Sequence, residues 1–215
     1  DNYQVAGRAL LDFTGDDIDN LVVTGIFNDL TISKNDTSYT FDEILIVSEI
    51  DTNSRNLRIE SDYLTGNFSG DFGFRELPDK LRRFLSIYFP YRFEQVVASD
   101  YPSVIDFEID VHKPLTFLTV LDTNLIYVGE GQIDGFFNDQ YRQLEIDAVL
   151  PKLVYKDFTF DSLSLVANSD IRKIDFALNI GQFKQNLIEL NDIVLDGTVF
   201  SDTLDFKLIV EKEFL

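Results

Sequence analysis

The chain has no cysteine, no methionine and no tryptophan, and only one histidine. Without cysteine it can build neither a disulfide framework nor a thiolate metal site, and an oxidising compartment is neither required nor excluded. Lacking tryptophan, it has none of the flat indole platforms that sugar-binding surfaces favour. Methionine is missing even at position 1, which is Asp1, so the chain reads as an excised or processed piece of something longer. Positive charge is scarce as well: 18 Lys and Arg stand against 38 Asp and Glu, for a formal net charge of −20 over 215 residues. A surface of that sign cannot replace the counterions around phosphates, which argues against nucleic acid as a partner. It also opposes broad docking on anionic headgroups. No apolar run approaches the ~18 residues of a membrane-spanning helix, and no signal peptide is visible.

What the chain does have is oil in a regular rhythm. It is 45% hydrophobic and 13% aromatic, with 20 phenylalanines, too apolar for a disordered segment. Ile174, Phe176, Leu178 and Ile180 alternate with Asp175, Ala177 and Asn179. The same alternation runs through Phe107, Ile109 and Val111, through Leu144, Ile146, Ala148 and Leu150, and through Leu204, Phe206, Leu208 and Val210. Leu163 and Leu165 keep the rhythm. Period two places these side chains on one face of a sheet and most charges, such as Asp110, Glu145, Asp175 and Asp205, on the other.

Turn chemistry separates the strands. Asn, Asp, Ser and Gly cluster at 14–17, 33–36 and 51–54, and later turns are expected near 138–139, 151–152, 168–170, 185–186 and 201–202. Strands at this spacing without intervening helices read as antiparallel meanders. Gly66, Phe68, Gly70 and Phe72 share a face, which suggests a crowded or strongly curved sheet. One segment breaks the rhythm: Leu81, Phe84, Leu85 and Tyr88 fall at helical spacing between Glu76 and Phe89, with Pro78 suited to the first turn and Pro90 stopping the helix. Residues 75–92 also reverse the local charge, with Arg75, Lys80, Arg82, Arg83 and Arg92 against Glu76 and Asp79. Residues 113–121 read as a short helical turn. The organisation expected is a single unit over 1–215, with strands over 1–74, a helix within 75–92 and strands over 93–215.

Catalytic chemistry is hard to find. His112 sits at an outward-facing strand position without a Gly-x-Ser-x-Gly elbow, and reads as a solvent-facing residue. Gly129, Gly131 and Gly135 tempt a dinucleotide reading, but they alternate as a strand does and no helix follows. Asp12, Asp16, Asp17 and Asp19 raise the idea of calcium; their spacing does not match an EF-hand loop, and an acidic surface turn is the better reading. No metal or cofactor is called for, and nothing asks for an enzyme.

The order of elements resembles a known family. Gly7-Arg8-Ala9-Leu10-Leu11-Asp12-Phe13 opens the chain, followed by Leu30-Thr31-Ile32, Tyr39-Thr40-Phe41-Asp42-Glu43-Ile44, Leu57-Arg58-Ile59-Glu60-Ser61-Asp62 and Gly66-Asn67-Phe68-Ser69-Gly70. A helix ending Tyr88-Phe89-Pro90 comes next, and Leu163-Ser164-Leu165 and Leu190-Asn191-Asp192 return to strand rhythm. This resembles the TamB family of translocation and assembly modules, Bacteroidota-type, within the AsmA-like superfamily. The resemblance implies an all-β, long antiparallel curved sheet, a β-taco or β-groove with an apolar interior; the amphipathic helix read at about 76–89 is an addition that the family pattern does not place. It also implies a periplasmic fragment of an inner-membrane-anchored parent, phospholipid as cargo between the two membranes, and an Omp85-type partner in outer-membrane biogenesis. On that reading the lipid-lining residues are Phe107, Ile109, Val111, Leu144, Ile146, Ala148, Leu163, Leu165, Ile174, Phe176, Leu178, Ile180, Leu204, Phe206, Leu208 and Val210. Leu81, Phe84, Leu85 and Tyr88 are expected to pack on the apolar face as a lid, with Arg82 and Arg83 pointing away; a plain connector helix and an interfacial helix meeting a membrane are the alternatives. A closed sandwich with a dry core, a scaffold for nascent outer-membrane β-strands, and an extracellular β-rich binding module remain as alternatives.

Overall fold

The computed structural model describes residues 3–34, 37–52, 54–93, 102–120 and 122–211. The alternating runs become strands joined by the turns that punctuate them. Strands β1 (Tyr3–Thr14), β2 (Val22–Lys34), β3 (Thr37–Asp51), β4 (Ser54–Ser61) and β5 (Leu64–Asp71) precede helix α1 (Leu77–Tyr88). Then come β6 (Val104–Val111), β7 (Leu125–Val128), β8 (Gly131–Asn138), β9 (Gln143–Tyr155) and β10 (Phe158–Ser169). The chain continues with β11 (Ile174–Gln185), β12 (Ile188–Phe200) and β13 (Thr203–Glu211). Short 3₁₀ turns occupy Ile18–Asn20 and Thr116–Val120, the second within the helical turn expected over 113–121. All thirteen strands lie in one antiparallel, curved, open sheet, ordered almost as in the sequence. Only β7 leaves that order, pairing with β9 beyond the end of β8.

Helix α1 forms where the sequence places it. Pro78 sits in the first turn, where its missing N–H costs nothing, and the Phe89 N–H closes the last turn on Leu85 O at 2.9 Å. Its apolar stripe packs on the oily face of the sheet: Phe84 and Tyr88 join Phe72, Ile105 and Phe137 in a buried cluster, flanked by Leu57, Phe68, Leu85, Phe107, Leu144, Ile174 and Val199. Phe84 meets Phe137 edge-on at 5.3 Å between ring centroids. Leu81 does not share this burial; it is 39% exposed on the helix flank. Arg82 points away as expected, whereas Arg83 turns back to Asp139 at 2.6 Å, a carboxylate only 3% exposed. Lys80 is buried, hydrogen-bonding Ser103 Oγ at 2.8 Å beside Glu76. The local basic charge is thus largely absorbed by packing partners.

The segment carrying α1 crosses the whole width of the sheet. At its start, Arg75 pairs with Asp17 at 2.7 Å and donates its N–H to Asp19 at 3.0 Å, both in the β1–β2 connection. At its end, Tyr88 Oη donates to Asp170 O at 2.6 Å, and Tyr88 O accepts the Asp202 N–H of the β12–β13 turn at 2.7 Å. Ten strand spacings of ~4.8 Å would separate the β1–β2 connection from the β12–β13 turn by roughly 48 Å in a flat sheet. A 12-residue helix spans about 18 Å, and its short flanks add roughly 20 Å at most. The sheet must therefore curl, apolar face inward, for one segment to reach both sides.

A line of breaks crosses the strands. Pro151 of β9, Ser162 of β10, Gly181 of β11 and Asp192 of β12 occupy the same level of the register, and Gly7, Asp29 and Asp42 hold the corresponding level of β1–β3. Asp29, Ser162 and Asp192 have φ of 52°, 55° and 48°, left-handed backbone inside a strand. The four short strands β4, β5, β6 and β8 stop at this same level. Across the line apolar residues step by three instead of two: Phe41 to Ile44, Leu150 to Leu153, Phe160 to Leu163, Ile180 to Phe183 and Leu190 to Ile193. The turn expected at 151–152 is accordingly no turn. Pro151 is a mid-strand break, and β9 runs on to Tyr155. Beyond the short strands the space is taken by the 3₁₀ turn, where Phe117 meets Phe41 and Tyr63 edge-on and Tyr39 Oη bonds Thr119 Oγ1 at 2.9 Å.

Three outcomes follow for stability. Phe84→Ala should cost about 3–5 kcal/mol by leaving a cavity between helix and sheet, and Tyr88→Phe about 1–3 kcal/mol by stranding a buried carbonyl, both read by urea denaturation. At Asp192, a valine should cost about 1–2 kcal/mol more than a glycine, because only the β-branched side chain resists left-handed backbone.

Candidate functional site

The oily face is the one extended surface whose chemistry is uniform. One register row runs across twelve strands without a polar side chain: Leu11, Gly25, Ile46, Ile59, Gly66, Ile109, Ile133, Ala148, Leu165, Leu178, Leu195 and Leu208. The row through Phe107, Ile146, Phe176 and Phe206 is broken only by Ser48. The row through Val111, Leu150, Leu163, Ile180 and Val210 is broken only by Ser61. Leu144, Ile174 and Leu204 fall in the row beneath α1. All sixteen residues expected to line a groove therefore share one face, because directly paired residues point to the same side.

Glycine and phenylalanine are matched on this floor. A Cβ at Gly197 would stand 2.5 Å from the Phe176 ring, and one at Gly135 only 2.2 Å from the Phe107 ring. The rings lie over the bare backbone of the neighbouring strand, so the crowding foreseen at Gly66 and Phe68 recurs along the face. At Gly70 the demand is conformational: φ is +140°, and a Cβ would sit 2.0 Å from Val104 O.

Cover over this face is partial. Helix α1 buries the margin at one end of the strands, while Phe206 of β13 is 54% exposed and Leu204 and Leu208 are similarly open. The described buried apolar residues are few and gather mainly under α1 and along the line of breaks. A dry sandwich core, one of the alternatives, is not what this open sheet forms.

A polar knot ends the covered margin. Arg55, buried at the end of β4, donates to Leu21 O at 3.0 Å, Ser48 Oγ at 2.6 Å and Asp19 O at 2.6 Å, with Phe74 under its guanidinium at 4.4 Å. Burial pushes its pKa down from the usual arginine value, opposed by the nearby Asp19 charge. Asp17 and Asp19 are thus used for holding Arg75 and the β1–β2 connection. Burial likewise raises the Tyr88 phenol. At the far end the Asp170 carboxylate accepts the N–H groups of Arg172 and Lys173 at 2.7 and 3.0 Å, and these bonds hold its pKa below the ordinary carboxylate value.

The opposite face is acidic. Glu108, Asp134 and Asp147 face one another directly across three strands, and with Asp106 and Glu145 they wall a shallow depression of about 530 Å³. Asp175 also lies on this side, bound by Lys173 and Thr198, which lower its pKa. Among the described residues no group of three or more His, Asp or Glu is arranged to hold a metal ion. His112 lies just past β6, exposed, with Nε2 2.8 Å from Thr65 Oγ1. Among the described residues no helix is long and apolar enough to cross a membrane.

Depressed carboxylate values in the fold give stability that is complete above the unfolded pKa of ~3.9 and lost as pH falls through the lower folded values. Asp17, Asp170 and Asp175 all shift this way, so acid should loosen the two ends of the α1 segment below about pH 4. Asp170→Asn should flatten the acid limb of a stability–pH profile by lowering the neutral plateau toward the acid value. Comparison with protein-family models, with curated proteins and with solved structures finds no match for this chain, so its resemblance to the TamB family rests on the strand pattern alone.

Proposed function

We infer that this chain cradles hydrocarbon, and that its cargo is the acyl part of phospholipid. The observation that carries the reading is the unbroken apolar row across twelve strands, left partly uncovered by the only helix among the described residues. An acyl chain asks for a continuous oily path and no polar recognition, and each methylene taken from water contributes ~0.8 kcal/mol. Half-exposed Leu204, Phe206 and Leu208 still have burial to gain from such a guest. The polar knot at Arg55 and the helix margin bound the surface on one side, and the acidic opposite face offers lipid tails nothing. In the setting that the TamB resemblance implies, this would be a periplasmic β-groove conducting phospholipid between inner and outer membranes, beside an Omp85-type partner in outer-membrane biogenesis. No catalytic step is part of this reading.

The test is to place a charge on the uncovered face. Native mass spectrometry after gentle extraction should find phospholipid on the parent protein. Phe206→Asp should abolish that binding with a melting temperature within a few degrees of the parent, because a half-exposed carboxylate stays hydrated. Phe176→Asp should also lose lipid, at a larger cost in stability, since its ring covers Gly197. Absence of lipid from the parent, or a Phe206→Asp variant that still carries it, would overturn the reading.

A further inference from the structure

We propose that the end of the sheet where helix α1 finishes docks on an anionic lipid surface, Tyr91, Tyr141 and Ile171 entering the headgroup layer while Arg92, Arg142 and Arg172 meet lipid phosphates. Three separate turns carry the same two-residue step, an exposed aromatic or apolar side chain followed at once by an exposed arginine. Tyr91 is 93% exposed, Tyr141 67% and Ile171 57%. In a chain of net charge −20 with 18 basic residues, three arginines gathered beside three exposed oily side chains reverse the local character.

One residue brings these turns together. Tyr88 Oη reaches Asp170 O at 2.6 Å and Arg142 O at 3.4 Å, and Tyr88 O accepts the Asp202 N–H at 2.7 Å. The Asp202 carboxylate in turn accepts the Tyr91 N–H at 3.0 Å. The β8–β9 and β10–β11 turns lie at the same end of the strands, two strand spacings or about 10 Å apart. Tyr91, Tyr141 and Ile171 therefore crown one end of the sheet, beside the last turn of α1.

The carboxylates of this end are turned to structural use. Asp139 is held by Arg83 and by the Ser103 N–H, each at 2.6 Å. Asp170 accepts the N–H groups of Arg172 and Lys173, and Asp175 is bound by Lys173 and Thr198. No hydrogen bond or ion pair among the described residues uses the guanidinium of Arg92, Arg142 or Arg172. Each presents to solvent a planar fork of donors that suits phosphate oxygens. Tyrosine rings, apolar in the body and polar at the tip, suit the headgroup layer. Turn side chains more than half exposed fit a broad surface better than the packed pocket that a folded partner's anchor needs.

Charge confines the contact. At the same strand end but across the sheet, the β1–β2 connection carries Asp16, Asp17 and Asp19, which an anionic bilayer repels. Docking is therefore limited to the end of α1 and the β8–β9 and β10–β11 turns. It sets the α1 margin of the oily face against the bilayer, the side from which an acyl chain arrives. The proposal goes further than the cargo reading without resting on it, since this end can hold a vesicle whether or not the oily face holds lipid.

The full chain should co-sediment with vesicles of phosphatidylcholine containing about a third phosphatidylglycerol, and much less with pure phosphatidylcholine, the difference shrinking as salt is raised. Arg92→Gln, Arg142→Gln and Arg172→Gln should each weaken that partition roughly three- to fivefold. Lys207→Gln, which removes the same charge from the outer face of β13, should leave it unchanged. Because the chain has no tryptophan, single reporters locate the contact. Tyr141→Trp should shift its emission to the blue on anionic vesicles. Leu187→Trp, fully exposed in the β11–β12 turn at the opposite end of the strands, should not. A parent that ignores anionic vesicles, arginine variants that bind like the parent, or a blue shift from Leu187→Trp would each overturn the proposal. Binding to polyglutamate but not to vesicles would also overturn it, assigning the surface to an acidic polypeptide.

Discussion

A sheet that is oily on one face only cannot lie flat in water, and everything else here depends on how that face is handled. The chain neither closes the sheet into a barrel nor stacks a second sheet on it. It lays one amphipathic helix across one margin and fastens both ends of that segment to connections at opposite sides of the sheet. The fastening is polar and local: Arg75 to Asp17 and Asp19 at one end, Tyr88 to Asp170 and Asp202 at the other. Between them Phe84 and Tyr88 supply the buried contact area. Curvature is the product of a strap shorter than the flat sheet is wide.

The two faces answer to different rules. On the inner one, size is regulated strand by strand, with glycines where phenylalanine rings lie across the floor. On the outer one, carboxylates directly opposite each other repel, yet at 4 Å in water that costs only ~1 kcal/mol before salt screening. The repulsion is tolerable, and it keeps the outer face from burying against anything acidic.

Much of this was legible from period alone. The four long alternations around Phe107, Ile146, Phe176 and Phe206 gave facing directly, and the stripe Phe84, Leu85 and Tyr88 with its bracketing prolines gave the helix. The line of breaks was not legible, because a step of three between apolar residues looks like a turn when read one strand at a time. Pro151 looks like a turn residue for that reason; only the register shows it level with Ser162, Gly181 and Asp192. Leu81 followed the helical spacing but lies at the flank of the contact. Burial of Arg55 and Lys80 had no local signal, since their partners Ser48, Leu21 and Ser103 come from other elements. The joint closing of the short strands by Phe117, Phe41 and Tyr63 is likewise a meeting of distant residues.

The near-sequential strand order has a bearing on how this molecule comes apart. Almost every strand touches only its predecessor and its successor, so each hairpin is held by two neighbours, as in a stack of repeats. Order of that kind spreads from any point and frays from the ends. The segment from Phe72 to Tyr91 is the exception, because it makes β4, β8, β11 and the last turn answer to one another. Pulled from its termini, the chain would peel hairpin by hairpin until the load reached that segment. There the remaining strands would have to yield as a group.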